Sequence, residues 1–140
     1  MSAQRPSRRP MTLMVISPFA ERIHMALMTG ATGAAMGLPV TFFFSKGAVH
    51  ALKKGGWETL KTSDGRTVPD MDKAQDKKGL ADFSVLIDAL AALEVRFVAC
   101  ENAMTEEELT VDELITRPAI ELSGLADIIE KGHGGDWLTF

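Results

Sequence analysis

The sequence predicts an α/β domain, a three-layer α/β/α sandwich built on a mainly parallel five-stranded sheet. Three observations carry that expectation. Five short apolar runs alternate with helical patterns, the first two runs are apolar throughout, and most connections between them are short. Unbroken apolarity marks a strand covered on both faces, and alternation of strands with helices implies right-handed crossovers between parallel neighbours. A chain of 140 residues, 46% of them hydrophobic, has the size of one domain able to bury a core without disulfide or metal staples.

The first strand is read at Thr12 to Ile16, ending at Ser17-Pro18. From Phe19 the period changes to three and four, through Ile23, Ala26, Leu27, Gly30, Ala31 and Ala34, which predicts a helix stopped near Gly37. Its small residues suit close approach to a sheet or to a neighbouring helix. Val40 to Phe44 is the second strand, and Ser45-Lys46-Gly47 leads into a short helix over Ala48 to Lys54, closed by Gly55-Gly56. Trp57 to Gly79 has no sustained period and is expected to be a long irregular connection. Phe83, Leu86, Ile87, Leu90 and Leu93 form the stripe of a further helix, followed by a third strand, Arg96 to Cys100. Asn102 is the expected N-cap of a helix over Ala103 to Leu109, with a short helix after it at Val111 to Ile115. Pro118 to Leu122 reads as the fourth strand, Ser123 as the cap of a helix over Leu125 to Lys131, and Trp137 to Phe140 as the last strand.

Charge and composition exclude several functions. The net charge is −4, and residues 101–136 carry ten acidic and two basic side chains, whereas residues 46–78 carry eight basic and five acidic ones. An acidic third and the lack of tyrosine argue against nucleic-acid binding, which needs clustered cations and stacking aromatics. One cysteine rules out an intrachain disulfide, a CxxC pair or a cysteine-based zinc site, and three scattered histidines add no metal-ligand spacing, so no metal or cofactor is expected. Residues 1–10 hold Arg5, Arg8 and Arg9 without an apolar stretch behind them and read as a disordered basic tail rather than a secretory signal, so a cytoplasmic location is expected. His24 to Phe44 is free of Asp, Glu, Lys and Arg over 21 residues, but its glycines, threonines and Pro39 break it into helix, turn and strand, and no membrane span is expected. The methionines at 14, 25, 28, 36 and 104 fit gap-filling in a core or an oligomer interface better than soft-metal binding.

In a parallel α/β sheet, ligands bind beyond the carboxyl ends of the strands, here Ser17-Pro18, Ser45-Lys46-Gly47, Cys100-Glu101-Asn102 and Ser123-Gly124. Cys100 is the last residue of its strand and stands directly before a helix start, where free N–H groups and the helix dipole favour a thiolate, while Glu101 opposes one. A lone thiol can also be a small buried core residue. As a reactive group it suits one task above others, storing sulfur as a persulfide, which needs a single sulfur atom and no resolving partner in the same chain. Lys46 is placed by topology at the same sheet edge, where its ammonium could stabilise an anionic sulfur, and His50 lies one turn further on as a proton donor or acceptor.

Several segments carry a resemblance. The glycine- and alanine-rich first helix runs into Met36-Gly37-Leu38-Pro39-Val40-Thr41-Phe42-Phe43-Phe44. The helix ending in Leu93 leads to Glu94-Val95-Arg96-Phe97-Val98-Ala99-Cys100, Met104 follows, and the chain ends Asp136-Trp137-Leu138-Thr139-Phe140. In this order they resemble the DsrE/DsrF-like group of small sulfur-relay proteins over most of residues 11–140. The resemblance implies sulfur transfer through Cys100, homo-oligomers built on trimers or hexamers, and a sulfur-carrier or thiol protein as partner. It points to a carrier more than to an enzyme. The alternative within the same resemblance is a non-catalytic oligomeric module that binds a small ligand or a protein and keeps Cys100 as core.

Overall fold

A computed structural model describes residues 8–140, so most of the expected N-terminal tail lies outside the described residues. Five strands, β1 (Met11–Val15), β2 (Val40–Phe44), β3 (Arg96–Cys100), β4 (Ile120–Ser123) and β5 (Asp136–Thr139), form one sheet in the order β4-β3-β2-β1-β5. Every pairing in it is parallel. The two continuously apolar runs, β1 and β2, take interior positions, as their lack of alternation requires.

Register divides the sheet into two faces. Leu13, Phe42, Phe97 and Ile120 lie in one row, and Val15, Phe44, Ala99 and Leu122 in the next. This face is covered by α1 (Ala20–Ala35) and α3 (Phe83–Ala92), which pack on each other. The rings of Phe42 and Phe97 stack with centroids 4.9 Å apart, and Phe44 lies 5.9 Å from Phe97. Contact with α1 depends on Gly30, where an added Cβ would fall 2.2 Å from Cζ of Phe42. The helical cost of that glycine is the condition for seating α1 on the aromatic row.

On the opposite face lie Thr12, Phe43, Val98 and Cys100, covered by α5 (Leu125–Lys131) through the buried Ile128. Arg96 ties this layer down. Its Nε donates to Glu121 at 2.6 Å, and its Nη2 donates to Asp127 at 3.2 Å, linking β3, β4 and α5. The Lys131 ammonium, the Ser123 hydroxyl and Arg96 hold the Asp127 carboxyl below the usual range.

Several expected boundaries are corrected. The first strand begins at Met11 and ends at Val15, the fourth runs from Ile120 to Ser123, and the last from Asp136 to Thr139. The segment after β2 is a 3-10 helix, Lys46–Leu52, in place of the helix expected at Ala48 to Lys54, and the one at Val111–Glu113 is a single 3-10 turn. The helix after β3, α4 (Glu101–Glu106), starts two residues earlier than expected, so Cys100 and not Asn102 occupies the N-cap position. Ser123 does not cap α5. Gly124 holds that position, and the Ser123 hydroxyl donates to Asp127 at 3.0 Å.

The largest correction concerns Trp57 to Gly79, expected to be irregular. It contains a 3-10 turn, Trp57–Thr59, and α2 (Val68–Lys77). Only Val68 and Met71 of α2 are buried, too few to write a stripe into the sequence. A local signal was present, since Thr67 accepts from the Asp70 N–H and Pro69 sits in the first turn, a capping pattern that marks helix starts. Trp57 stacks on Phe83 at 4.2 Å and donates from Nε1 to Oδ2 of Asp72, leaving Oδ1 of Asp72 buried without a partner.

Burial first, then the neighbouring Asp82 and Glu58 carboxylates, push the Asp72 carboxyl above its ordinary range, against the lowering pull of the Trp57 hydrogen bond. A carboxyl raised in this way holds its proton more tightly when folded, so its contribution is complete in acid and is lost as pH rises through the folded value. Asp72→Asn is therefore expected to raise the melting temperature at neutral pH, with the gap over wild type closing in acid. Thermal melts across that pH range check this, and a gap independent of pH would contradict it.

Among the described residues, no helix is long and apolar enough to cross a membrane. The uncharged stretch His24 to Phe44 is most of α1, a turn through Gly37 and β2.

Candidate functional site

The carboxyl ends of β1, β2 and β3 come together at one edge of the sheet. Ser45 N–H donates to the Val15 carbonyl at 2.9 Å, which ties the segment after β2 to the end of β1. At Gly47 an added Cβ would lie 3.0 Å from Cβ of Pro18 and 3.8 Å from Oε1 of Glu107, so the turns after β1 and β2 and the end of α4 converge on this glycine. Just before it, Lys46 has φ of +51°, a left-handed conformation that costs an L-residue about 1 kcal/mol.

Cys100 ends β3 and makes no capping hydrogen bond. It pairs in register with Ser123, so thiol and hydroxyl stand on the same face of the sheet. Position at the edge is as the sequence predicts, but the residue retains only 4% of its exposure, less than a nucleophilic thiol needs. The reason is local. Ala103 and Met104 of α4 and Ala48, Val49 and Leu52 of the 3-10 segment all turn inward at this end of the sheet. With six residues, α4 also supplies a weaker dipole than a longer helix would.

Lys46 and His50 both lie against α4, each beside a glutamate. The Lys46 ammonium donates to both carboxylate oxygens of Glu106, at 3.1 and 3.3 Å, and Nε2 of His50 lies 3.6 Å from Oε1 of Glu107. These two glutamates are the partners that reading the residues one by one missed. The signal was the pairing of a basic segment after β2 with the run Glu106-Glu107-Glu108 after β3, because adjacent parallel strands bring those segments side by side. These contacts are exposed and add little stability, and they link the turn after β2 to α4, the helix that follows Cys100. Among the described residues there is no group of three His, Cys, Asp or Glu placed to hold a metal.

The sequence pattern of the DsrE/DsrF-like family matches residues 11–140, the whole of the sheet and its helices. The chain belongs to this family. Family membership and the all-parallel five-stranded sheet agree. Two solved structures share the fold of this DsrE-family chain. The ychN protein from E. coli is 15% identical with a TM-score of 0.64, over 96% of this chain and all of that one. A protein of unknown function, MTH1491 from Methanobacterium thermoautotrophicum, is 14% identical with a TM-score of 0.61, again over 96% of this chain and all of that one. No curated protein matches the sequence. Likeness at this identity is a likeness of fold.

Proposed function

We propose that this DsrE-family protein is a sulfur carrier that holds sulfane sulfur on Cys100 and passes it to the thiol of a partner protein. The single observation that supports it most is the placement of the chain's one cysteine, at the carboxyl end of an interior parallel strand, where this architecture puts its ligands. The chemistry balances without a cofactor. The Cys100 thiolate attacks the outer sulfur of a persulfide donor, the donor's S–S bond breaks, and the donor leaves as a thiolate, so no net oxidation occurs. An acceptor thiolate then removes the outer sulfur from Cys100 by the same step. In this account Lys46 exchanges Glu106 for the persulfide anion, and His50 moves the proton. The working form is a homo-oligomer, trimeric or hexameric, in the cytoplasm.

The burial of Cys100 favours a second reading, a module of the same fold that binds a ligand or partner and uses Cys100 only for packing. Native-state alkylation separates the two. A carrier must open this edge locally, so its alkylation rate should be insensitive to low denaturant, whereas a packing cysteine should react only as fast as the whole domain unfolds. A rate that follows global unfolding would contradict the carrier.

Lys46→Gly tests the cation. It relieves the left-handed backbone and removes an exposed ion pair, so stability should change by no more than about 1 kcal/mol. Uptake of sulfur by Cys100 is expected to slow several-fold. An unchanged uptake rate would remove Lys46 from the mechanism.

A further inference from the structure

A cavity of about 330 Å³ opens on the outer side of the sandwich between α1, α3 and the turn after α2, in the layer that covers the face opposite the Cys100 side chain. Its wall is apolar. Met28 and Ala31 come from α1, Leu80 and Ala81 from the turn, and Leu86 from α3. Met28 is 42% exposed and Leu80 54%, so both large side chains stand at the opening without being covered. The volume lies at the low end of the range of small-molecule pockets. An apolar cavity of about 150 Å³ takes a benzene ring, so this one has room on the order of two fused rings.

Polar groups at the cavity are few and specific. His24 lines it and is 7% exposed, which makes it one of only three buried polar or charged side chains among the described residues. Its Nε2 lies 2.9 Å from the Ala81 carbonyl, and since a carbonyl only accepts, Nε2 carries the proton and donates. In the neutral ring Nδ1 is then an acceptor, and it has no hydrogen-bond partner among the described residues. The Thr32 hydroxyl, also at the wall, already donates to the Met28 carbonyl at 2.9 Å. What remains on offer is the Nδ1 acceptor of His24 and, from α2, the side-chain amide of Gln75, in an otherwise apolar wall. An apolar wall of this kind disfavours a charged ligand, which would lose its hydration there.

We propose that this cavity is a binding site for a small, uncharged, largely apolar molecule of about two rings that carries one hydroxyl or N–H, received by Nδ1 of His24. The site is separate from Cys100 and stands whether or not the cysteine carries sulfur.

Titration of the full chain with naphthol, followed by amide chemical shifts, tests it. Saturable shifts confined to residues 24–32 and 75–86 are expected, with naphthoate binding more weakly than naphthol. His24→Leu is expected to weaken naphthol by about 3- to 10-fold, the worth of one hydrogen bond, and to leave naphthalene unchanged. Because that change also removes the tie to Ala81, Met28→Trp serves as the second variant. Met28 stands at the opening, so the bulkier side chain should fold and block binding, while Cys100→Ala should bind as wild type does. Shifts without saturation, or shifts centred on exposed apolar residues elsewhere such as Leu125 and Ile129, would overturn the proposal. So would Met28→Trp binding as well as wild type, or changing the oligomeric mass, the latter showing that a second copy covers the cavity.

Discussion

Replacing Phe42 with alanine is expected to cost about 3–5 kcal/mol, the range for removing a buried aromatic side chain, and so to consume much of a small domain's stability. Phe42 lies at the centre of the middle strand, fully buried, and its ring is shared by the two layers that meet there. On one side it stacks on Phe97 at 4.9 Å and lies 6.0 Å from Phe44; on the other it fills the notch that Gly30 leaves in α1. The notch makes a sharper prediction. A glycine in a helix interior normally gains about 1 kcal/mol when changed to alanine. At Gly30 the new methyl would meet the Phe42 ring at 2.2 and 2.6 Å, and a ring held by two stacked neighbours has no room to withdraw. Gly30→Ala is therefore expected to destabilise by about 1–3 kcal/mol. Combined with Phe42→Leu, whose shorter side chain makes space, it should cost less than the two changes summed. Denaturant unfolding of the four proteins measures this, and strict additivity would contradict the packing described.

Loss of Cys100 has the largest expected effect on function. With one cysteine in the chain, Cys100→Ala leaves no atom able to form a persulfide, since the thioethers of the methionines cannot, and uptake of sulfane sulfur should fall to nothing. Alanine is the better substitution for this purpose. At a residue 4% exposed, serine would bring a hydroxyl into a buried place at a cost of about 1–3 kcal/mol, and loss of uptake would then be confounded with loss of fold. Removal of the neighbouring charge acts in the other direction. Glu101→Gln takes away a carboxylate one residue from the sulfur, and it should speed uptake if the attacking species is the thiolate.

The sheet was legible because its strands announce themselves by composition. Val40 to Phe44 has five apolar or β-branched residues in succession, and only a strand covered on both faces tolerates such a run. α1 was legible from its period, down to Ile23, Leu27 and Gly30 on the buried side. α2 was not, because it is held by its caps, by Met71 and by the Trp57–Asp72 bond more than by a buried stripe, and period alone cannot see a helix that buries so little. His24 read only as a structural or surface histidine without a partner at ligand spacing, since its partner is a carbonyl 57 positions away in sequence. The edge position of Cys100 followed from the β-α alternation, which implies parallel strands, and from its place as the last residue of its strand. Its burial did not, because it depends on how α4 and the 3-10 segment close over β3, and those small residues, Ala48, Ala51 and Ala103, carry no signal of their own.

Intact-mass measurement after incubation with a persulfide donor tests the carrier reading most directly. Wild type should gain the mass of one sulfur, lose it again on exposure to a thiol, and Cys100→Ala should gain none. No gain in the wild type, or an equal gain in both proteins, would contradict it.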